Sequence, residues 1–265
     1  MNYKTTLLAG AAVLFAGQAI AADLTGALYT PNKGQLTSDT TLGYSRVQYK
    51  HNVWPEAVDA WTASEVLEYG ITDAFAINVG IGNAFDTEGR YNNSHNHDYA
   101  LGAKYTTALC DKTTLQVNAY FETYDLKSWF GHHNYVSAND GRWQKNIGGD
   151  IRLGYDLGNG LSAYGIYGLE TSIDDRWDRE GDLDQYAKFG LHKYTGKWAL
   201  DGALRYEFTT EGKNTHEWWF DAEADYYVTS SVALGVYGAY FLDGSKDVDD
   251  IHRAYEAGLR VKVAF

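Results

Sequence analysis

Proline and cysteine are nearly missing from this chain of 265 residues, and each scarcity excludes something. The only prolines are Pro31 and Pro55, so everything from Glu56 to Phe265 is free of ring-locked φ angles and missing N–H groups. A long antiparallel sheet suits that composition, because each mid-strand proline deletes a ladder donor. One cysteine, Cys110, cannot build an internal disulfide framework or a thiolate metal cluster. Beyond the N-terminal stretch no apolar run reaches the roughly 18 residues of a membrane-spanning helix, which excludes a helical membrane bundle. Positive charge is also short: 22 Lys and Arg face 35 Asp and Glu, a formal charge of -13 that argues against a nucleic-acid partner. What is abundant is glycine, at 28 residues, and aromatic side chains, at 15%.

The N-terminus reads as an address. Lys4 precedes the apolar run Leu7–Gly17, and Ala19-Ile20-Ala21 has the small-x-small pattern of a signal-peptidase site. Residues 1–21 are therefore expected to be a secretory signal peptide, removed on export through the inner membrane. Residues 22–39, with Pro31 and Gly34, form an N-terminal segment expected either in the periplasm or folded up into the lumen of the domain over 40–265.

From residue 40 the dominant pattern is a period of two. Phe75, Ile77, Val79 and Ile81 alternate with Ala76, Asn78, Gly80 and Gly82; Leu115, Val117, Ala119 and Phe121 alternate with Gln116, Asn118, Tyr120 and Glu122. Such segments are strands with one apolar and one polar face. Twelve are expected, at about 40–50, 59–71, 75–86, 97–109, 113–127, 143–157, 161–172, 183–195, 197–209, 215–228, 231–242 and 254–265. Their length matches the roughly 9–11 residues of a tilted strand that crosses a bilayer. Short turns such as Gly158-Asn159-Gly160 alternate with longer polar loops, so turns gather at one rim and loops at the other. The expected fold class is all-β: an antiparallel up-and-down transmembrane barrel over 40–265, with short periplasmic turns and longer extracellular loops. A secreted soluble all-β protein, such as a sandwich or a closed ligand-binding barrel, explains the alternation equally well, but explains less well why the polar face is charged on strand after strand while the other is aromatic and aliphatic. Aromatic residues support the barrel, falling near the turn ends (Tyr69, Phe75, Tyr105, Tyr155, Tyr194, Trp198, Tyr226, Phe265) and near the loop ends (Trp61, Phe85, Phe121, Trp143, Tyr167, Tyr206, Phe208, Trp218, Tyr240, Tyr255).

The signal peptide, the alternating hairpins and the closing segment from Tyr255 to Phe265 resemble Gram-negative outer-membrane β-barrel proteins of the porin-like kind. The resemblance implies residence in the outer membrane, contact with its lipid and lipopolysaccharide, and delivery to the barrel-assembly machinery. Tyr255, Leu259, Val261, Val263 and Phe265 match the alternating C-terminal signal of that class. Its small members include passive channels and lipid-acting enzymes, so the resemblance leaves the solute open.

If the apolar face is outside, the other face lines the interior. Its expected members are Arg46, Asp98, Lys104, Glu122, Asp150, Arg152, Glu170, Lys188, Asp201, Arg205, Glu207, Asp221, Glu223, Asp225, Glu256, Arg260 and Lys262. Charges on so many strands require water or partners. The signs are mixed with an acidic excess, and no basic track for anions stands out. This points to a channel for passive diffusion of small hydrophilic solutes or ions with a preference for cations. The competing reading is a closed barrel, interlocked by its own salt bridges, that serves as surface anchor or adhesin. An outer-membrane enzyme has the least support: no GxSxG, HExxH or nucleotide loop occurs, and His216 with Glu217 and Asp221 matches no known hydrolase spacing. No cofactor or metal is expected; the loop pairs His95/His97 and His132/His133 lack a fixed third ligand.

Overall fold

The computed structural model describes residues 28–49, 57–86, 95–125, 143–173, 183–210, 216–244 and 251–265. These residues form twelve strands: β1 (Leu36–Tyr49), β2 (Ala57–Gly70), β3 (Phe75–Asp86), β4 (His95–Cys110), β5 (Thr113–Asp125), β6 (Trp143–Gly158), β7 (Leu161–Ser172), β8 (Leu183–Thr195), β9 (Trp198–Thr210), β10 (His216–Thr229), β11 (Val232–Gly244) and β12 (Ile251–Ala264). Each pairs antiparallel with its neighbours in sequence, and β1 pairs with β12 to close the barrel. Closure satisfies every strand edge. At a spacing near 4.8 Å and a tilt near 40°, twelve strands enclose a backbone cylinder roughly 24 Å across.

The turn chemistry fixes the hairpins at one rim. Asn159 and Gly160 both have positive φ, 56° and 71°, the left-handed pair that a tight hairpin turn demands. Thr72 Oγ1 accepts from the N–H groups of Ala74 and Phe75, at 3.2 and 2.9 Å, closing the turn between β2 and β3. Thr37 pairs with Ala264, so both ends of the barrel sequence meet at this rim. The barrel begins at Leu36, earlier than the alternation alone indicates. Leu36–Asp39 fall in the N-terminal segment expected at 22–39, yet Thr37–Asp39 pair with the last residues of β12 and seal the seam.

Register separates two faces. Exposed apolar side chains, among them Leu42, Val79, Leu101, Ile151, Leu191, Leu204, Val236 and Leu259, cover the outside. Outer aromatics group at the two ends. Trp198 packs tilted against Tyr226 with ring centroids 5.0 Å apart near the turns, and Tyr206 against Trp218 at 4.6 Å near the loops. Tyr194 departs from the expected turn-end band. Its register partner is buried Ala199, so it lies on the inner face and meets Tyr227 edge-on at 5.6 Å.

The inner face explains much of the glycine. Tyr120 lies opposite Gly148, Tyr186 opposite Gly168, Tyr164 opposite Gly190 and Tyr237 opposite Gly258. Each ring occupies the space that a Cβ on the facing glycine would fill. The phenols are thereby laid along the wall of the barrel.

Candidate functional site

The candidate site is the interior of the barrel, built from alternate residues of all twelve strands. Of the charged residues expected there, Asp98, Lys104, Glu122, Asp150, Arg152, Glu170, Lys188, Asp201, Arg205, Glu207, Asp221, Glu223, Asp225, Glu256, Arg260 and Lys262 all take the inner register. Arg46 does not. It pairs in register with Tyr255 and Asp59, on the face opposite to Asp39, and bonds Asp59 on the outside near the loop end at 3.4 Å. The physical reason is parity: Arg46 and Asp39 are an odd number of residues apart along an uninterrupted strand, so they point to opposite sides.

Asp39, Glu68 and Glu217 are inner residues that alternation alone misses. Glu68 is hidden because β2 carries glutamates of both parities. Glu65 lies on the outer face, where Ser38 and Thr40 donate to it, the former at 2.5 Å. Val66 lies on the inner face beside Glu68. Hydrophobicity therefore gives no consistent phase for this strand.

Among the described residues every inner Lys and Arg is held by carboxylates. Lys104 meets Glu68 at 2.6 Å, Lys188 meets Asp221 at 2.9 Å, and Lys262 meets Asp225 at 3.0 Å. Arg152 is bidentate on Asp150, with Nε at 2.7 Å and the terminal nitrogen at 3.0 Å. Asp150 also accepts from Asn118 Nδ2 at 2.5 Å and Tyr186 Oη at 3.0 Å. Arg260 bridges Asp39 and Glu223, each at 2.5 Å. Arg205 pairs with Glu207 and, at 3.2 Å, with Asp221, while its guanidinium sits 5.4 Å from the Trp219 ring.

Five of the remaining inner acids rely on neutral donors. Tyr120 donates to Glu170 at 2.9 Å, Tyr164 to Asp201 at 2.6 Å, and Tyr237 to Glu256 at 3.2 Å. Trp219 Nε1 donates to Glu217 at 2.9 Å, and Thr209 to Asp184 at 2.6 Å. Acids therefore outnumber bases inside, and most of the excess carboxylates are held by neutral hydrogen-bond donors, which leave their negative charge in place. His192 faces inward with Nδ1 3.5 Å from Asp201 Oδ2. At the turn end the chain before β1 enters the interior, with Pro31 fully buried.

The expected signal peptide at 1–21, the loop pair His132/His133, His51 and most of the acidic loop stretches lie outside the described residues. His97 is described and faces outward, with Nδ1 2.5 Å from Asn83 Oδ1. Phe265 N donates to Leu36 O at 2.9 Å, and Leu259, Val261 and Tyr255 lie on the outer face of β12.

No family model and no curated protein sequence matches this chain. Solved structures do match in shape. An outer-membrane channel from Pseudomonas putida F1 superposes with a TM-score of 0.66 at 12% identity, covering 91% of this chain and 99% of that one. The NanC porin gives 0.60 at 11% identity, covering 85% and 98%. The translocator domain of the autotransporter NalP from Neisseria meningitidis gives 0.56 at 12% identity, covering 90% and 91%. The chain has the fold of Gram-negative outer-membrane β-barrels, a shape it shares with channels and with a translocator.

Proposed function

We propose that the protein is an outer-membrane channel through which small hydrophilic solutes and ions diffuse passively, with a preference for cations. One observation carries the reading: a closed twelve-stranded barrel that is largely apolar outside and lined inside by many charged residues with an acidic excess. So many charges inside a sealed cylinder are stable only with water or partners. Negative walls in a low-dielectric shell concentrate cations. That two of the fold neighbours are a channel and a porin supports the reading. The small solute is the partner inside; outside are outer-membrane lipid and lipopolysaccharide.

A second reading is favoured by a specific observation. Several inner ionic groups are almost fully covered, with Asp225 at 3% and Asp150 at 5% exposure, which fits an interlocked barrel serving as a surface anchor. Single-channel recording in planar lipid bilayers under a salt gradient separates the two. Discrete steps whose reversal potential favours cations are expected. Reproducible insertion without current would refute the channel.

A further inference from the structure

Leu28–Pro31 run inside the barrel at its turn end, where they are held by one wall and touch the other. Gln116 on β5 is fully buried beneath them. Its Nε2 faces Leu28 O at 3.3 Å, Tyr29 O at 3.2 Å and Thr30 Oγ1 at 3.0 Å. On β4, Thr106 shares a hydroxyl bond of 2.6 Å with Thr30, and Lys104 Nζ donates to Tyr29 O at 3.1 Å. From this anchorage the Tyr29 ring packs on the cluster Ala199, Tyr227, Ala233 and Ala264, contributed by β9 to β12. In a closed ring of twelve, β5 and β11 are diametrically opposed. Backbone on one wall and a phenol against the other therefore span the bore.

The attachment is reversible in kind. None of these contacts is a ladder bond of the barrel. Lys104, Gln116 and Thr106 would meet water once the segment left, so departure strands no buried polar group. The segment is tethered just before β1 by a turn in which Gly34 has a φ of 78° and donates to Gly70 O at 2.7 Å, and Gln35 N donates to Asn32 O at 3.0 Å. That turn leaves Leu28–Pro31 as a short arm with a fixed root.

We propose that this arm is a stopper built into the channel, that Tyr29 is the residue that closes the bore, and that the arm leaves the interior without unfolding the barrel. The proposal rests on the channel reading and is tested so that the two fail differently. Conductance is recorded for the refolded wild-type chain, for Tyr29→Ala, for Gln116→Ala, and for Thr30→Cys/Thr106→Cys in a Cys110→Ser background. Barrel folding is checked for each by heat-modifiable migration on gels. Removing the phenol is expected to enlarge the unit step about twofold or more, because conductance follows the open cross-section at the narrowest level. Gln116→Ala removes three of the contacts that hold the same arm to the opposite wall, leaving those of Lys104 and Thr106, and is expected to act in the same direction. The oxidised double-cysteine protein is expected to hold the small step, with reduction restoring wild-type behaviour. Equal, non-zero steps in wild type, Tyr29→Ala and Gln116→Ala would overturn the stopper and leave the channel standing. No current from any folded variant would overturn the channel, and the stopper with it.

Discussion

A glycine-to-alanine change at Gly148 tests the fit between the phenols and the wall. A Cβ added there meets Tyr120 Cζ and Oη at 2.5 Å and Cε2 at 2.8 Å, against the 3.4 to 4 Å of ordinary contact. The ring must therefore swing off the wall by about an ångström. In doing so it loses the bond from Tyr120 Oη to Glu170, now 2.9 Å. Overpacking of this kind costs about 1–3 kcal/mol, and a bond to a charged group contributes about 1.5–3 kcal/mol. The two costs do not sum, because the displaced phenol can turn toward the interior and find water. An effect near 2 kcal/mol is expected. The informative measurement is a double-mutant cycle with Tyr120→Ala, read by guanidinium unfolding of the refolded barrel in lipid vesicles. With the ring gone, Gly148→Ala should cost close to nothing, leaving a coupling of about 1–2 kcal/mol. Gly202 is the internal control. It lies on the outer face with nothing within 4 Å of an added Cβ, so Gly202→Ala should be neutral or slightly stabilising. Additive costs at Gly148 and Tyr120 would refute the argument that the glycine exists to seat the ring.

Three further outcomes are expected from the register. Glu65 lies on the outer face midway between Trp61 and Tyr69, at about 2.5 Å of height per residue for a strand tilted near 40°, which is the depth of the bilayer centre if those rings mark its interfaces. Glu65→Leu should then stabilise the inserted barrel by about 1–2 kcal/mol in vesicle unfolding, and a loss of stability would show that this face is not against lipid. Lys262 and Asp225 form a pair whose side chains are only 9% and 4% exposed, so Lys262→Met, which strands the carboxylate, should cost about 3–5 kcal/mol, while adding Asp225→Leu should recover most of it. Deleting Phe265, the last residue of the expected assembly signal, should lower the folded barrel recovered from cell outer membranes while leaving refolding in detergent unchanged; equal recovery would remove that residue from the signal.

Most of the architecture is legible in the sequence. β3, β7 and β8 begin and end where the alternation puts them, because a lone phase of period two, bounded by turn residues, has one solution. The departures fall where that phase is ambiguous. In β1 and β2 both parities carry polar groups. Alternation consequently puts Arg46 inside, misses Glu68, and leaves the strand start at Leu36 in the N-terminal segment. Distance from the turn puts Tyr194 in the outer band, whereas the parity of its neighbours decides its face.

The sequence by itself determined the class of the fold, the strand count and the chemistry of the two faces, since periodicity and composition are local properties that survive without a partner strand. Tertiary structure alone decided which acid meets which base and that tyrosines lie across from glycines. It also placed Leu28–Pro31 across the bore, joining residues of β4 and β5 to those of β9 to β12. These are contacts between residues far apart in the chain, and they exist only once closure sets the diameter and the register around the ring.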